Sequence, residues 1–207
     1  MCSSDLLDVE LLKGKSHFTA ALVRYGDAKG DLKSEEEVHG LMKALENAPF
    51  TVADVKETEK SVRPRPPFTT SQLQQTAANR LGFTSKKTMQ IAQQLYEGVN
   101  IGSSRIGLIT YMRTDSTRIS GAAMEEVRAF IGETYPGALP ETPNSYSMGK
   151  GAQDAHEAIR PTVTTYTPDY VKAHLSRDQQ RLYALIWERF VSSQMTNAKS
   201  QIGRAHV

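Results

Sequence analysis

The chain has 207 residues, 39% hydrophobic and 23% charged, with a formal net charge of +2. That is ordinary globular composition, enough for one or two domains, and the net charge alone says nothing about partners. A single cysteine, Cys2, excludes a disulfide framework or a cysteine zinc site within the chain, and no apolar run approaches membrane-span length. The pattern predicts a soluble, cytoplasmic protein with no membrane partner.

Both ends read as foreign sequence. Residues 1–6 and 202–207 resemble translated sequencing adapters and are set aside from fold reasoning. From Val9 to Val62 short apolar runs alternate with polar turns. Ser16 to Val23 reads as a strand, and 25–27 and 28–31 read as turns. Ser34 followed by Glu35, Glu36 and Glu37 predicts a capped helix start, with Val38, Leu41, Met42 and Leu45 as its apolar stripe. Phe50 to Val55 reads as a strand.

Arg63-Pro64-Arg65-Pro66-Pro67 marks a boundary, extended because proline fixes φ and removes donors. Thr70-Ser71 opens a helix with Leu73, Ala77 and Leu81 at helical spacing, and Gly82 stops it. Thr84-Ser85 caps a second helix bearing Met89, Ala92, Leu95 and Tyr96. Two helices joined by a glycine turn read as helix-turn-helix. Asn100 to Gly107 reads as a loop, and Gly107 to Met112 as strand-like. Ser120 caps a helix carrying Met124, Val127, Phe130 and Ile131. Pro136 to Gly151 is loop, Gln153 to Ile159 is helix-compatible, and Ser176 caps a last helix, with Tyr183 and Trp187 in or at the edge of its core.

Charge is unevenly placed. Lys60 to Ser120 holds nine basic residues against Glu97 and Asp115, a local +7 in a remainder of −5. Such a block is either a solvated face or a surface for a polyanion.

The informative string is Thr110-Tyr111-Met112-Arg113-Thr114-Asp115-Ser116. A tyrosine oxygen can attack phosphorus and hold the phosphoryl group as an ester, conserving the bond energy for resealing. Free tyrosine titrates near pH 10, so it needs a proton acceptor or a positive field. In an extended segment Tyr111, Arg113 and Asp115 face one way, so Arg113 could clamp a phosphate and Asp115 could orient it. From spacing alone the same string also reads as a packed aromatic beside a salt-bridged arginine. A second cluster, Asp154 to Arg160, places a histidine between acids, where it can hold a proton or bond a phosphate. On a helix Arg160 would share a face with His156; a plain surface ion pair fits the spacing equally.

Longer stretches carry a resemblance. Phe68 to Gln75, Leu81-Gly82-Phe83, Lys86 to Met89, Ala92 to Glu97, Gly107 to Thr117, Ala155 to Pro161, Leu182 to Trp187 and Gln194-Met195 are similar to the type IA DNA topoisomerases of bacteria. The resemblance covers roughly Val9 to Lys199 and points to an internal fragment. It implies that Tyr111 forms a 5′-phosphotyrosyl bond, that Arg113 stabilises the scissile phosphate, that Thr110 and Asp115 support the site, and that His156 contacts the phosphate or the phosphotyrosine. It implies weaker roles in DNA contact for Arg160, Lys86, Lys87, Arg80 and Gln93. Mg²⁺ is the implied cofactor, but its acidic ligands belong to a domain expected before residue 7, and no metal ligands are expected within the chain.

The fold expected is mixed α+β. Residues 7–62 would be part of a β-rich gate domain, 63–162 a mostly helical, winged-helix-like domain carrying the catalytic tyrosine, and 163–201 a return segment toward the gate and an adjoining helical domain. The partner implied is a single-stranded segment of DNA in the bacterial nucleoid, bound by a monomer. The whole enzyme would relax negatively supercoiled DNA without ATP, and this chain alone would be inactive. The rivals are a decatenating member of the same family and a non-catalytic helix-turn-helix module, which would leave Tyr111 and His156 far apart.

Overall fold

A computed structural model describes residues 7–25, 28–29, 34–46, 48–146 and 156–206. Residues 1–6, the turn positions 26–27 and 30–31, and 153–155 of the expected helix lie outside the described residues. Contacts divide the chain into a unit of Met1–Lys60 with Gln201–Val207 and a unit of Ser61–Ser200.

In the first unit β1 (Asp8–Lys13) and β2 (Ser16–Ala21) form an antiparallel hairpin, Asp8 opposite Ala21 and Lys13 opposite Ser16. β3 (Arg24–Tyr25) pairs with β4 (Ala28–Lys29). Helix α1 (Glu35–Leu45) starts as its sequence dictates: the Ser34 hydroxyl accepts from Glu37 N at 3.2 Å and three glutamates sit in the first turn. β5 (Asp54–Val62) pairs with β8 (Ala198–His206). The strand expected at 50–55 therefore begins at Asp54 and runs on to Val62. All nine of its residues are exposed, so it buries no face and shows no apolar alternation. Residues 202–206, set aside in the sequence reading, form the end of β8.

The second unit is built on α2 (Thr70–Leu81), α3 (Ser85–Glu97), the hairpin β6 (Val99–Ile101) and β7 (Ser104–Ile106), α4 (Gly121–Thr134), a short α5 (Pro168–Val171) and α6 (Arg177–Ser193). Thr69 caps α2 in a capping box with Gln72, and Gly82 closes it at φ 70°, a left-handed angle that costs glycine nothing. Helix, turn, helix and hairpin follow in winged-helix order. The hairpin occupies the stretch expected to be loop; Gly102, at φ 60°, makes its turn.

Residues 163–200 lie in the same compact unit as 61–162. Leu182, Ile186 and Phe190 of α6 are fully buried in one core with Leu73, Leu95, Leu108, Ile109, Met112, Ile131 and Ile159. Each such side chain contributes about 1.5–3 kcal/mol by leaving water, which binds α6 to α2 and α3. Tyr183 and Trp187 are core residues with satisfied polar tips: Tyr183 Oη donates to Tyr166 O at 2.5 Å and Trp187 Nε1 to Thr164 O at 2.8 Å. Among the described residues no helix is long and apolar enough to cross a membrane.

Candidate active site

Residues 107–118 run without regular secondary structure apart from one bridge, Ile109 to Pro161. The expected strand is thus a single extended rail held from two sides. Gly107 begins it against the last turns of α3: a Cβ there would stand 2.6 Å from Tyr96 O, so only glycine permits the approach. Leu108 N then donates to Leu95 O at 2.8 Å.

Thr110 fixes the rail to residues 158–160. Its Oγ1 donates to Ala158 O at 2.7 Å and accepts from Arg160 N at 3.0 Å, while Thr110 N donates to Arg160 O at 2.9 Å. Thr70, at the start of α2, fixes the far end. Its Oγ1 donates to Met112 O at 2.7 Å and accepts from Thr114 N at 2.8 Å; its N–H donates to Thr114 O at 2.8 Å. Phe68 and Ile159 close the arrangement through a second bridge.

Burial along the rail alternates. Met112, Thr114 and Ser116 are buried, and Tyr111, Arg113 and Asp115 are exposed. That is the period-2 geometry of extended chain, which presents Tyr111, Arg113 and Asp115 on one side. Tyr111 is 38% exposed, so its hydroxyl-bearing ring is no core residue. The ring lies edge-on to Tyr96, centroids 5.4 Å apart, and 5.9 Å from the His156 imidazole. Beside it opens a cleft of about 700 Å³, lined by Thr70, Ser71, Gln74, Arg113, Thr114, Asp115 and His156. Arg113 makes no ion pair among the described residues, Asp115 included, so its guanidinium is available to a ligand.

Residues 156–158 are not helical, so His156 and Arg160 do not share a helix face. Arg160 instead turns inward. Its Nε and Nη2 donate to Glu157 Oε2 at 2.9 and 2.6 Å, and its Nη1 donates to Pro161 O at 2.8 Å. Burial pushes the Glu157 carboxyl up, but hydrogen bonds from Ser120 and Arg160 and the charges of Arg160 and Arg118 outweigh it and hold the group below its ordinary value. The ion pair therefore braces the backbone between His156 and the Thr110 junction.

The weaker sequence candidates stand apart from the cleft lining. Lys87 pairs with Asp178 of α6 at 2.6 Å and lies over the Phe83 ring. Gln93 donates to Glu97 at 2.5 Å. Lys86 and Arg80 are exposed on α3 and α2. Sequence reasoning missed Thr70, Thr114 and Ser116 as backbone fasteners. For Thr114 and Ser116 the signal was present: these hydroxyls fall on the buried phase of an alternating segment, where a polar group must find a partner.

The model of the DNA topoisomerase family matches residues 7–207. The chain belongs to the DNA topoisomerase family. It is 57% identical over 187 residues to DNA topoisomerase 1 of Treponema pallidum (strain Nichols), an alignment covering 90% of this chain and 26% of that relative. Full-length topoisomerase I from Thermotoga maritima superposes with a TM-score of 0.70 at 39% identity, over 90% of this chain and 29% of that one. The chain thus spans about a quarter of the length of the family member it matches.

Proposed function

We propose that the chain carries the strand-cleaving tyrosine of a type IA DNA topoisomerase, with Tyr111 as nucleophile. The observation that carries this reading is the placement of an exposed Tyr111 ring against His156 beside a cleft into which Arg113 brings an unpaired guanidinium. A non-catalytic helix-turn-helix module has no need of that contact.

Tyr111 Oη attacks the phosphorus of a DNA phosphodiester. The new bond is P–Oη and the bond that breaks is P–O3′, so the downstream strand stays on the protein through its 5′-phosphate; the tyrosine gives up its hydroxyl proton and the leaving 3′-oxygen takes one up, so protons balance. Attack by the 3′-hydroxyl on the same phosphorus reverses the exchange, and neither direction consumes ATP. Arg113 offers a planar fork to the non-bridging oxygens, on which charge builds in the transition state. His156, whose ring lies 5.9 Å from that of Tyr111, would exchange a proton with the tyrosine oxygen or bond the phosphate. In the whole protein, passage of another strand through the gap relaxes negative supercoils.

Mg²⁺ fits poorly with the residues present. Among the described residues no group of three or more His, Cys, Asp or Glu is gathered as a cation site needs. The ligands would come from an acidic domain outside this chain, and no step above runs through them.

The test is Tyr111→Phe in the whole protein. It removes one hydroxyl from an exposed ring, so folding and DNA binding should hold while the denaturation-resistant link to labelled oligonucleotide disappears. Undiminished linkage in the Phe variant would overturn the assignment.

A further inference from the structure

The Ser61–Ser200 unit carries a second concentration of positive charge, away from the tyrosine cleft. Arg189 of α6 lies over the Phe68 ring, 4.3 Å from its centroid, and its Nη1 donates to Pro66 O at 3.5 Å. It is thereby held half-buried against the segment that carries Arg65. Prolines at 64, 66 and 67 fix φ on either side of Arg65, so little backbone freedom remains there to lose on binding. Burial, together with the charges of Arg65 and of Arg80 from the last turn of α2, holds Arg189 below the usual arginine range. Among the described residues no carboxylate pairs with any of the three. In the same unit Lys87 is answered by Asp178 and Arg160 by Glu157. The half-buried Arg189 guanidinium thus stands in the field of two like charges, a cost in stability that a bound anion would offset.

The cluster is not an extension of the cleft. Gln74 lines the cleft, and Arg80 stands six residues further along α2, which is about 120° round the helix and about 9 Å along it. No residue of α6 lines the cleft. Guanidinium forks match phosphate oxygens in geometry as well as charge. We propose that Arg65, Arg80 and Arg189 form a second phosphate-binding site, which grips the backbone of a nucleic-acid strand independently of the tyrosine cleft. The identity of the ligand as a strand rests on the functional reading above; the phosphate chemistry does not.

The test uses the 207-residue chain and phenylglyoxal, which modifies accessible arginines, with mass spectrometry reporting the rate at each. A 20-nucleotide oligothymidylate (roughly the length that spans one or two such grooves) should slow modification of Arg65 and Arg80 several-fold. Inorganic phosphate at the same total phosphate concentration should slow it far less. In parallel, Arg65→Gln with Arg80→Gln should make the log–log salt dependence of oligonucleotide binding shallower by about 1.4, two lost contacts at about 0.7 each. Protection of Arg113 without Arg65 or Arg80 would refute the second site and leave the cleft reading standing. Protection of none of the three would sink both. Equal protection by inorganic phosphate would make this a free-anion site and refute the strand.

Discussion

Replacing Thr70 by valine removes one hydroxyl and keeps the side chain's shape. That hydroxyl donates to Met112 O at 2.7 Å and accepts from Thr114 N at 2.8 Å, so two backbone groups flanking Arg113 lose their partner together. Met112 is fully buried and Thr114 is 8% exposed. A hydrogen bond contributes about 1 kcal/mol net, and a buried group left unsatisfied costs about 1–3 kcal/mol. The adjoining cleft lets water reach part of the junction, which places the total near the low end, about 2 kcal/mol. For a unit of this size that lowers Tm by about 8 °C. Thermal unfolding followed by circular dichroism measures it, with Thr70→Ser as the control that keeps the hydroxyl and loses the methyl. Serine near wild type and valine well below it is the expected order. Were serine to fall as far as valine, the methyl's packing and not the hydroxyl would be holding the rail.

Three further outcomes follow from the same geometry. Arg113→Lys in the whole protein keeps the charge but loses the planar fork. It should slow cleavage and religation about tenfold or more, as expected for loss of one charge-assisted contact made in the transition state, read by single-turnover oligonucleotide cleavage; a wild-type rate would remove Arg113 from the phosphate. Glu157→Gln should destabilise the protein in a pH-dependent way. The folded Glu157 carboxyl is held below 4.5, so its stabilisation is full above that value and is lost as pH falls through the lowered one. The Tm gap between wild type and variant should be constant near neutral pH and close in acid, and a gap that persists at about pH 2 would show that packing, not charge, accounts for it. The 207-residue chain by itself should bind single-stranded DNA, more weakly as salt rises, yet fail to relax supercoiled plasmid with Mg²⁺ present. Relaxation would mean that Tyr111, Arg113 and His156 suffice without an acidic domain.

Much of the helical unit was legible because its signals are local. Thr84, Ser120 and Ser176 stand where caps were expected, and Gly82 ends α2 in the left-handed conformation. The rail's alternation was legible too, since period 2 is written into any extended segment. What failed to show was whatever depends on distant partners. β5 is a charged strand exposed along its whole length, so no apolar side-chain pattern marks its pairing with β8. Arg160 looked like a surface cation because its spacing from His156 suggested a helix; its side chain is instead 12% exposed and spent on Glu157 and Pro161. The place of α6 followed from its burial against α2 and α3, which its own amphipathic stripe cannot specify.

The two threonine junctions have a consequence for how the site comes into being. Thr70 meets Met112 across 42 residues of chain, and Thr110 meets Ala158 across 48. Contacts so far apart in sequence must overcome loop-closure entropy before they return any stability, so they form late, after the helices have collapsed on each other. A peptide spanning only the tyrosine motif would carry Tyr111, Arg113 and Asp115 and none of their alignment. Tyr111, Arg113 and His156 are brought together or dispersed as one set, so on the proposed reading partial unfolding of this unit would silence the tyrosine.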